Sequence, residues 1–436
     1  MRFFWEESKF LLRSKFLWIV SLLGVALCLW VYAGQVSYNQ EEMDASYAFT
    51  QEHGPSFREE DVDDFIEYIL DYTWEGPFYR DSLQKAGLLD LPPQDVQAYN
   101  EGKNPALTEK MDQLLEQDEA TYWEVVMYMD LLCRPADLVE TNSFEKGFDT
   151  EAWGQNLIES LPHPLPAWLE EKVTEAFRTL QPRVEEIVKN GENHWFLPYS
   201  SFMGGNSEWF TWQFDKYGGL GFMWAVAFLV AGILAARSIG GSLMENRAGL
   251  LYAGKPGRRV VLWKTASVLA VTGIVYLFLS LLMTGIFILW CRLDLYWNVP
   301  LASMVSYDGV TIPRFPITVG GYWLFQLGVG LGSVLIMALL FVAFQLVTKN
   351  QYAGIALAVG FSLCLIAIIQ VVPGGENSLL AMSSPIGLFL NTGLFLQARF
   401  LFAVLPHFEG LSLLFWGLVA SLIGGLGYLR MRRTAL

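Results

Sequence analysis

The chain has 436 residues, of which 53% are hydrophobic, and its formal net charge is −15. Six uncharged apolar segments, most of them reaching the roughly 20 residues that a membrane-spanning helix needs, exclude an ordinary soluble protein. The charge is unevenly divided: residues 34–216 hold 37 acidic and 12 basic side chains, whereas the rest of the chain is basic. The composition therefore indicates several membrane spans and one acidic, water-exposed insertion.

The first predicted element is an amphipathic helix at residues 2–13, with aromatic side chains on one side and Glu6, Lys9 and Arg13 on another. This pattern is typical of a helix that lies along a membrane surface, and a merely charged flank is the alternative. The apolar segment 16–33 follows and is predicted to be the first span. A cleaved signal peptide is the other interpretation, but no small-x-small cleavage site follows the segment.

The acidic insertion is predicted to be mostly helical, with helices at residues 59–72, 108–132 and 167–190. Ser56 and Glu59 form a capping box before the first of these helices. Pro182 predicts a kink or break in the third helix, and Gly191 predicts its end. The aromatic segment 194–217 fits either a belt at the headgroup level or the core of the insertion itself.

Five further apolar segments lie at residues 217–236, 265–291, 315–348, 350–375 and 410–429. Lys and Arg collect at both termini, in the loop 238–264 and at Lys349, all on one side of a six-span arrangement. Because cytoplasmic loops are enriched in Lys and Arg, both termini are predicted to lie in the cytoplasm and residues 34–216 outside the cell. The predicted location is the plasma membrane.

The segment 377–408 departs from the simple span pattern. It begins with an uncharged stretch that contains Ser384, Pro385 and Asn391, residues unsuited to a lipid-exposed helix. A seventh full span would place the C-terminal arginines outside, against the charge rule. We therefore predict a re-entrant hairpin that dips in from the outer face and lies against protein or a water-filled path.

The sequence thus predicts an all-α polytopic membrane protein in three parts. Residues 1–33 form the interfacial helix and first span, residues 34–216 the mostly helical extracellular domain, and residues 217–436 the remaining spans. No Cys/His spacing resembles a metal site, and a disulfide between Cys133 and Cys291 requires that both face outward. No nucleophile–base arrangement is visible, so no enzyme activity is expected in this chain, and no nucleic-acid partner is expected.

The energy source for such a body has to be external, because the chain carries no phosphate-binding loop and almost no ionisable side chain within its spans. The loop 238–264 is the predicted docking element for a partner. Its predicted partner-coupling residues form a short helix and are Glu245, Arg247, Gly249, Leu250 and Leu251. Three basic residues after it are predicted to anchor the next span to the headgroups, namely Arg258, Arg259 and Lys264. An ordinary basic loop is the alternative.

These features together resemble the permeases of the type-2 class of ABC exporters. The loop is similar to the pattern of that family at Glu245, Gly249, Leu251, Pro256, Arg259 and Lys264. The N-terminal surface helix and the Ser384–Pro385 segment also match, so the resemblance covers about residues 1–33 and 217–436. The chain departs from the family at Leu250, where a Thr often follows the Gly, which leaves the register of the coupling helix open.

The resemblance implies an ATP-driven exporter of an amphipathic or hydrophobic compound, such as a peptide antibiotic or toxin, a drug or a lipid-like molecule. A separate ABC ATPase subunit would bind ATP and Mg²⁺ and push the coupling helix, so this chain itself would hold no cofactor. A second permease, identical or related, would complete the path across the bilayer. The competing hypothesis is a membrane sensor whose extracellular domain binds a ligand.

Overall fold

The structure is a computed structural model in which helices make up most of the chain. It describes residues 2–54, 56, 61, 64, 76–89, 91–100, 102–126, 128–129, 147–159, 164–193, 219–244, 257–291, 293–303, 305–306, 309–310, 312–371, 382–390, 395–396, 398 and 400–434. Within these residues the strand structure is one short antiparallel hairpin, β1 (Val305–Ser306) with β2 (Gly309–Val310).

The N-terminal part consists of two helices that meet at a bend. The chain turns by 54° between α1 (Arg2–Leu12) and the apolar first half of α2 (Lys15–His53). At 1.5 Å per residue, α2 is about 58 Å long, roughly twice the thickness of a bilayer core. It ends at Gly54, whose φ of 84° breaks the helix. The predicted boundary at 33/34 therefore falls inside one continuous helix.

The described part of the insertion is mostly helical. Its helices are α3 (Gly76–Ala86), α4 (Pro93–Asn100), α5 (Pro105–Gln117), α6 (Thr150–Glu159), α7 (Ala167–Arg178) and α8 (Gln181–Asn190). The predicted break near Pro182 is confirmed: the chain interrupts the helix at Thr179, and Pro182 stands in the first turn of α8. Gly191, in the left-handed conformation, ends α8 as predicted.

The helix predicted at 108–132 is wrong in one respect, because it is two helices. α5 starts at Pro105 and ends at Gln117, and Asp118 interrupts it. The Asp118 carboxylate accepts hydrogen bonds from the backbone N–H and the hydroxyl of Thr121, at 3.2 and 2.7 Å, and so caps the next helical turn. The helix predicted at 59–72 lies largely outside the described residues.

The rest of the chain forms a helical bundle. Its helices are α9 (Gly219–Ala235), α10 (Gly241–Met244), α11 (Gly257–Cys291), α12 (Val319–Thr348), α13 (Gln351–Val371), α14 (Pro385–Leu390) and α15 (Phe408–Thr434). A π-helical segment, Ala236–Gly240, joins α9 to α10. Short 3₁₀ turns lie at Leu293–Tyr296, Leu301–Ser303 and Phe400–Val404.

Within the described residues, five helical stretches are long and apolar enough to cross a membrane. They are Met223–Gly240, Arg259–Ile286, Val319–Thr348, Gln351–Ile368 and Phe408–Arg430, and the bent pair of α1 with Lys15–Trp30 would make a sixth. The fold is thus that of an all-α polytopic membrane protein. α12 lies at its centre, in contact with α9, α11, α13 and α15.

The described helices place both ends of the chain at one end of the bundle, which we call the terminal end. There α1 packs on the start of α11, and Gly427 near the end of α15 lies against Leu346 at the end of α12. At the opposite end, the Thr50 hydroxyl near the end of α2 is 3.1 Å from the hydroxyl of Tyr296.

Candidate functional site

A buried polar network joins four elements at the terminal end. The Lys264 ammonium on α11 lies 2.7 Å from the Ser238 carbonyl oxygen, 2.7 Å from Ser242 Oγ and 3.5 Å from Glu7 Oε1 on α1. Ser238 donates its hydroxyl to the same carboxylate oxygen at 2.6 Å. We call these four residues the Lys264 network. The Lys264 and Glu7 side chains are only 9% and 10% exposed, so this pair is shielded from water.

A backbone carbonyl of the π-helical segment takes part in this network. In the segment, the Gly241 N–H bonds to the Ala236 carbonyl instead of the carbonyl four residues back. The Ser238 carbonyl oxygen, inside this segment, accepts from both Lys264 and the Ser242 hydroxyl. π-Helical turns inside α-helices are frequent at functional sites.

Gln345 on α12 connects the π-helical segment with α13. The side chain is 1% exposed and fills the space between two glycines, Gly240 in the π-helical segment and Gly354 on α13. A Cβ at either glycine would come within 2.5 Å of the Gln345 amide. The close approach of the three helices therefore requires glycine on both sides, and a displacement of the π-helical segment would reach α12 and α13 through this contact.

The predicted partner-coupling residues, Glu245, Arg247, Gly249, Leu250 and Leu251, lie outside the described residues. The structure describes both flanks of their loop: α10 ends at Met244 and α11 begins at Gly257. The bond between Ser242 and Lys264 ties these flanks together within the Lys264 network. The loop 245–256 is thus held at both of its ends in a fixed frame.

The predicted headgroup anchors differ in their surroundings. Arg258 and Arg259 lie in the first turn of α11, as expected for the start of a span, and the Arg259 side chain is exposed. The anchoring role predicted for Lys264 does not fit the structure. Its ammonium points into the protein and is surrounded by oxygen atoms of Glu7, Ser238 and Ser242, so it is not available to headgroups.

The predicted re-entrant segment contains a short buried helix, α14. Ser384 begins it, and its hydroxyl oxygen accepts from the Gly387 N–H at 2.9 Å, while Pro385 occupies the first helical position. The Phe389 ring stacks on Trp224 of α9 with 4.4 Å between ring centroids. Asn391 lies outside the described residues, and the re-entrant path as a whole stays a prediction.

Gly330 on α12 makes room for this aromatic stack. A Cβ built there would lie 2.2 Å from the Tyr276 hydroxyl on α11 and 2.9 Å from the Phe389 ring. α9, α11, α12 and α14 therefore meet at one glycine in the middle of the bundle. The neighbouring Gly328 has no atom within 4 Å of its Cβ position and faces open space.

A second buried ion pair lies at the opposite end and connects the insertion to the bundle. Arg183 on α8, 7% exposed, binds both carboxylate oxygens of Glu192 and donates to the Pro313 carbonyl at 3.0 Å. Ser303 donates to the Glu192 carbonyl at 2.5 Å. α7 and α8 are thereby held on the loop between α11 and α12.

The same loop also holds the segment that follows α14. Arg314 donates to the carbonyl oxygens of Phe395 and Ala403, at 3.0 and 2.5 Å, and its guanidinium lies 4.5 Å from the Phe395 ring centroid. Burial lowers the pKa of Arg314 from its ordinary value. Glu409, at the start of α15, accepts from the Phe395 N–H at 3.0 Å. The contacts of the neighbouring residues Pro313 and Arg314 therefore connect α8 with the segment that follows α14.

Sequence reasoning missed Glu7, Ser238 and Ser242. Glu7 sits beside the buried residues Ser8 and Leu11 on the inner side of α1, whereas Glu6 and Lys9 form an exposed pair. That placement of one acid on the buried side of an amphipathic helix is the signal that could have found it. Among the described residues, no three His, Cys, Asp or Glu side chains come together as a metal site would require.

Comparison of the chain with protein-family models, with curated proteins and with solved structures finds no match.

Proposed function

We propose that this chain is the membrane permease subunit of an ATP-driven ABC exporter. A separate ATPase subunit, carrying ATP and Mg²⁺, docks on the loop 238–264 at the cytoplasmic face, and a second permease completes the path. The exported compound is amphipathic or hydrophobic, because the spans offer almost no charged side chain to a hydrophilic ion. Residues 34–216 lie outside the cell, and both termini lie in the cytoplasm.

The observation that carries the proposal is the frame around the loop 245–256. A loop that merely follows the positive-inside rule needs no buried ion pair at its base. Here the two flanks of the loop and α1 share the Lys264 network, whose charged pair is nearly inaccessible to water. Removal of one partner from a buried ion pair destabilises by roughly 3–5 kcal/mol, so we expect α1 and the two flanks of the loop to move together.

These contacts can transmit a displacement of the loop to the helices of the bundle. A displacement of the loop moves α10 and α11 together because Ser242 and Lys264 are bonded. The π-helical segment follows, and the tight fit of Gln345 between Gly240 and Gly354 carries the movement to α12 and α13. This is the route by which ATP hydrolysis in the partner would change the exposure of the path.

The sensor hypothesis has one observation in its favour. Arg183 and Glu192 hold the insertion on the bundle through a buried pair, so a ligand bound outside would have a contact route inward. The same contact serves an exporter, in which the insertion would move with the outer end of the path. The identity of the partner on the cytoplasmic side separates the two functions.

The test is purification of the tagged chain from its native membrane in mild detergent, with identification and quantification of the proteins bound to it. The permease proposal expects a stoichiometric ATPase with a phosphate-binding loop, lost in the Leu250→Asp variant. The control, Leu115→Asp, makes the same change on an exposed position of α5 and retains the ATPase. A stoichiometric kinase or regulator without such a loop supports the sensor and overturns the permease proposal.

A further inference from the structure

Three basic residues lie at the bend between α1 and α2. Arg13 and Lys15 are the chain neighbours of Ser14, with their Cα atoms about 3.8 Å from its own. Arg237, in the π-helical segment, donates to the Ser14 hydroxyl oxygen at 2.7 Å. All three side chains are exposed. We call Arg13, Lys15 and Arg237 the Arg237 cluster.

The cluster has no counter-ion in the described part of the chain, where neither Arg13, Lys15 nor Arg237 forms an ion pair. The two carboxylates of α1 are committed elsewhere: Glu6 lies 3.6 Å from the Lys9 ammonium, and Glu7 belongs to the Lys264 network. Three like charges around one residue of the chain favour a bound anion, which would reduce their mutual repulsion.

Arg237 is fixed in a position that suits a phosphate. Its guanidinium stacks on the Phe10 ring at 4.5 Å from the centroid, and one of its N–H groups bonds to Ser14. Arginine carries five N–H donors in a planar fork, so the rest of the fork remains open on the exposed edge. Such an edge binds a phosphate through two parallel hydrogen bonds with little further loss of side-chain freedom.

The surroundings of the cluster fit a lipid surface. Trp5, Phe10 and Trp18 are 59%, 46% and 43% exposed, and they stand on either side of the bend. Trp18 donates its indole N–H to the Leu12 carbonyl at 2.8 Å, which places its ring at the bend itself. Exposed tryptophans beside basic residues at the end of a span are typical of the headgroup layer.

We propose that the Arg237 cluster is a binding site for the phosphate of an anionic membrane lipid. The lipid would hold α1 at the inner leaflet and join it, through Arg237, to the π-helical segment next to the Lys264 network. The inference rests on the proposed function only for the orientation that places α1 at the cytoplasmic leaflet. Lipid binding itself requires neither the ATPase nor transport.

The test uses the purified full-length chain in neutral detergent, with bound lipid counted by native mass spectrometry. The probes are phosphatidylglycerol, phosphatidylcholine and inorganic phosphate. We expect phosphatidylglycerol to bind in preference to phosphatidylcholine, and Arg237→Gln to weaken that binding roughly ten- to a hundredfold, since a charged hydrogen-bonding partner is lost. Arg237→Lys keeps the charge without the fork and should recover part of the affinity.

Arg2→Gln is the matched control, because it removes one exposed positive charge from the far end of α1. A change of less than about threefold is expected for it. Equal losses in Arg2→Gln and Arg237→Gln would show diffuse charge attraction and overturn the site. Inorganic phosphate that displaces all phosphatidylglycerol at equal concentration would overturn the lipid as its ligand. Because no ATPase is present, each of these results leaves the exporter proposal untouched.

Discussion

The Glu7→Gln substitution tests whether the Lys264 network holds α1 on the bundle. Gln has the same shape and still accepts from Ser238, but it removes the carboxylate that lies 3.5 Å from the Lys264 ammonium in a nearly water-free position. Removal of one partner from a buried ion pair destabilises by roughly 3–5 kcal/mol. At 1.4 kcal/mol per factor of ten, the undocked form of α1 should rise by roughly a hundredfold or more.

Amide hydrogen exchange, followed by mass spectrometry on the peptide that covers residues 2–12, measures this directly. α1 has 11 residues, and isolated helices shorter than about 12–15 residues are marginal in water. Undocking should therefore expose its amides, and their exchange should accelerate by a factor close to the change in undocked population.

Glu6→Gln provides the control for this measurement. Glu6 carries the same charge one position earlier but belongs to a surface pair with Lys9, and such pairs contribute about 1 kcal/mol or less. A second variant, Glu7→Gln with Lys264→Met, removes both charges of the pair and should recover part of the lost protection, because the ammonium no longer has to be buried without the Glu7 carboxylate. Exchange in Glu7→Gln that matches Glu6→Gln would refute the role of the network.

Three further predictions concern other parts of the fold, each read by thermal unfolding in detergent. Gly330→Ala forces a Cβ into the tyrosine hydroxyl beside it, costs roughly 1–3 kcal/mol and lowers the midpoint, whereas Gly328→Ala should have little effect. Equal midpoints for the two variants would contradict the close packing at that glycine. Arg183→Gln leaves a buried carboxylate unpaired and should cost roughly 3–5 kcal/mol, whereas the exposed Arg178→Gln should change the midpoint little. Equal midpoints for the two arginine variants would contradict the importance of the buried ion pair. The hydrogen bonds that Asp118 accepts at the helix start lower its pKa below 3.8, so its stabilising charge is present above that pH and lost as the pH falls through the native pKa. Asp118→Asn keeps a capping side chain that does not titrate, so its unfolding midpoint should fall less at acid pH than that of the unchanged protein. Parallel plots of midpoint against pH for the two proteins would contradict this role of Asp118.

The helical elements follow closely from the sequence because their signals are local. Apolar length predicts the spans, and the turn formers Pro182 and Gly191 predict where α7 and α8 break and end. The continuation of α2 to His53 was less accessible. Hydropathy falls after residue 33, yet the polar residues that follow still favour a helix, so a span boundary does not mark a helix boundary.

The candidate site was predictable only in part, because its contacts join distant parts of the chain. Glu7 and Ser238 are 231 residues apart, and a hydrogen bond between them depends on how α1 bends back onto the bundle. The π-helical segment has no strong sequence pattern, so the bond from Lys264 to the Ser238 carbonyl could not be expected. The charge of Lys264 alone suggested an anchor at the headgroups, whereas its burial shows that the ammonium binds inside the protein.

If the loop 238–264 receives the energy for transport from an ATPase, that ATPase must contact it. A photo-crosslinking amino acid at position 250, activated in native membranes, detects this contact, and position 115 on α5 is the control. We expect an adduct at position 250 with a subunit that carries a phosphate-binding ATP site, and no such adduct at position 115. An adduct at position 250 with a kinase or regulator, or no ATPase adduct there, would overturn the exporter proposal.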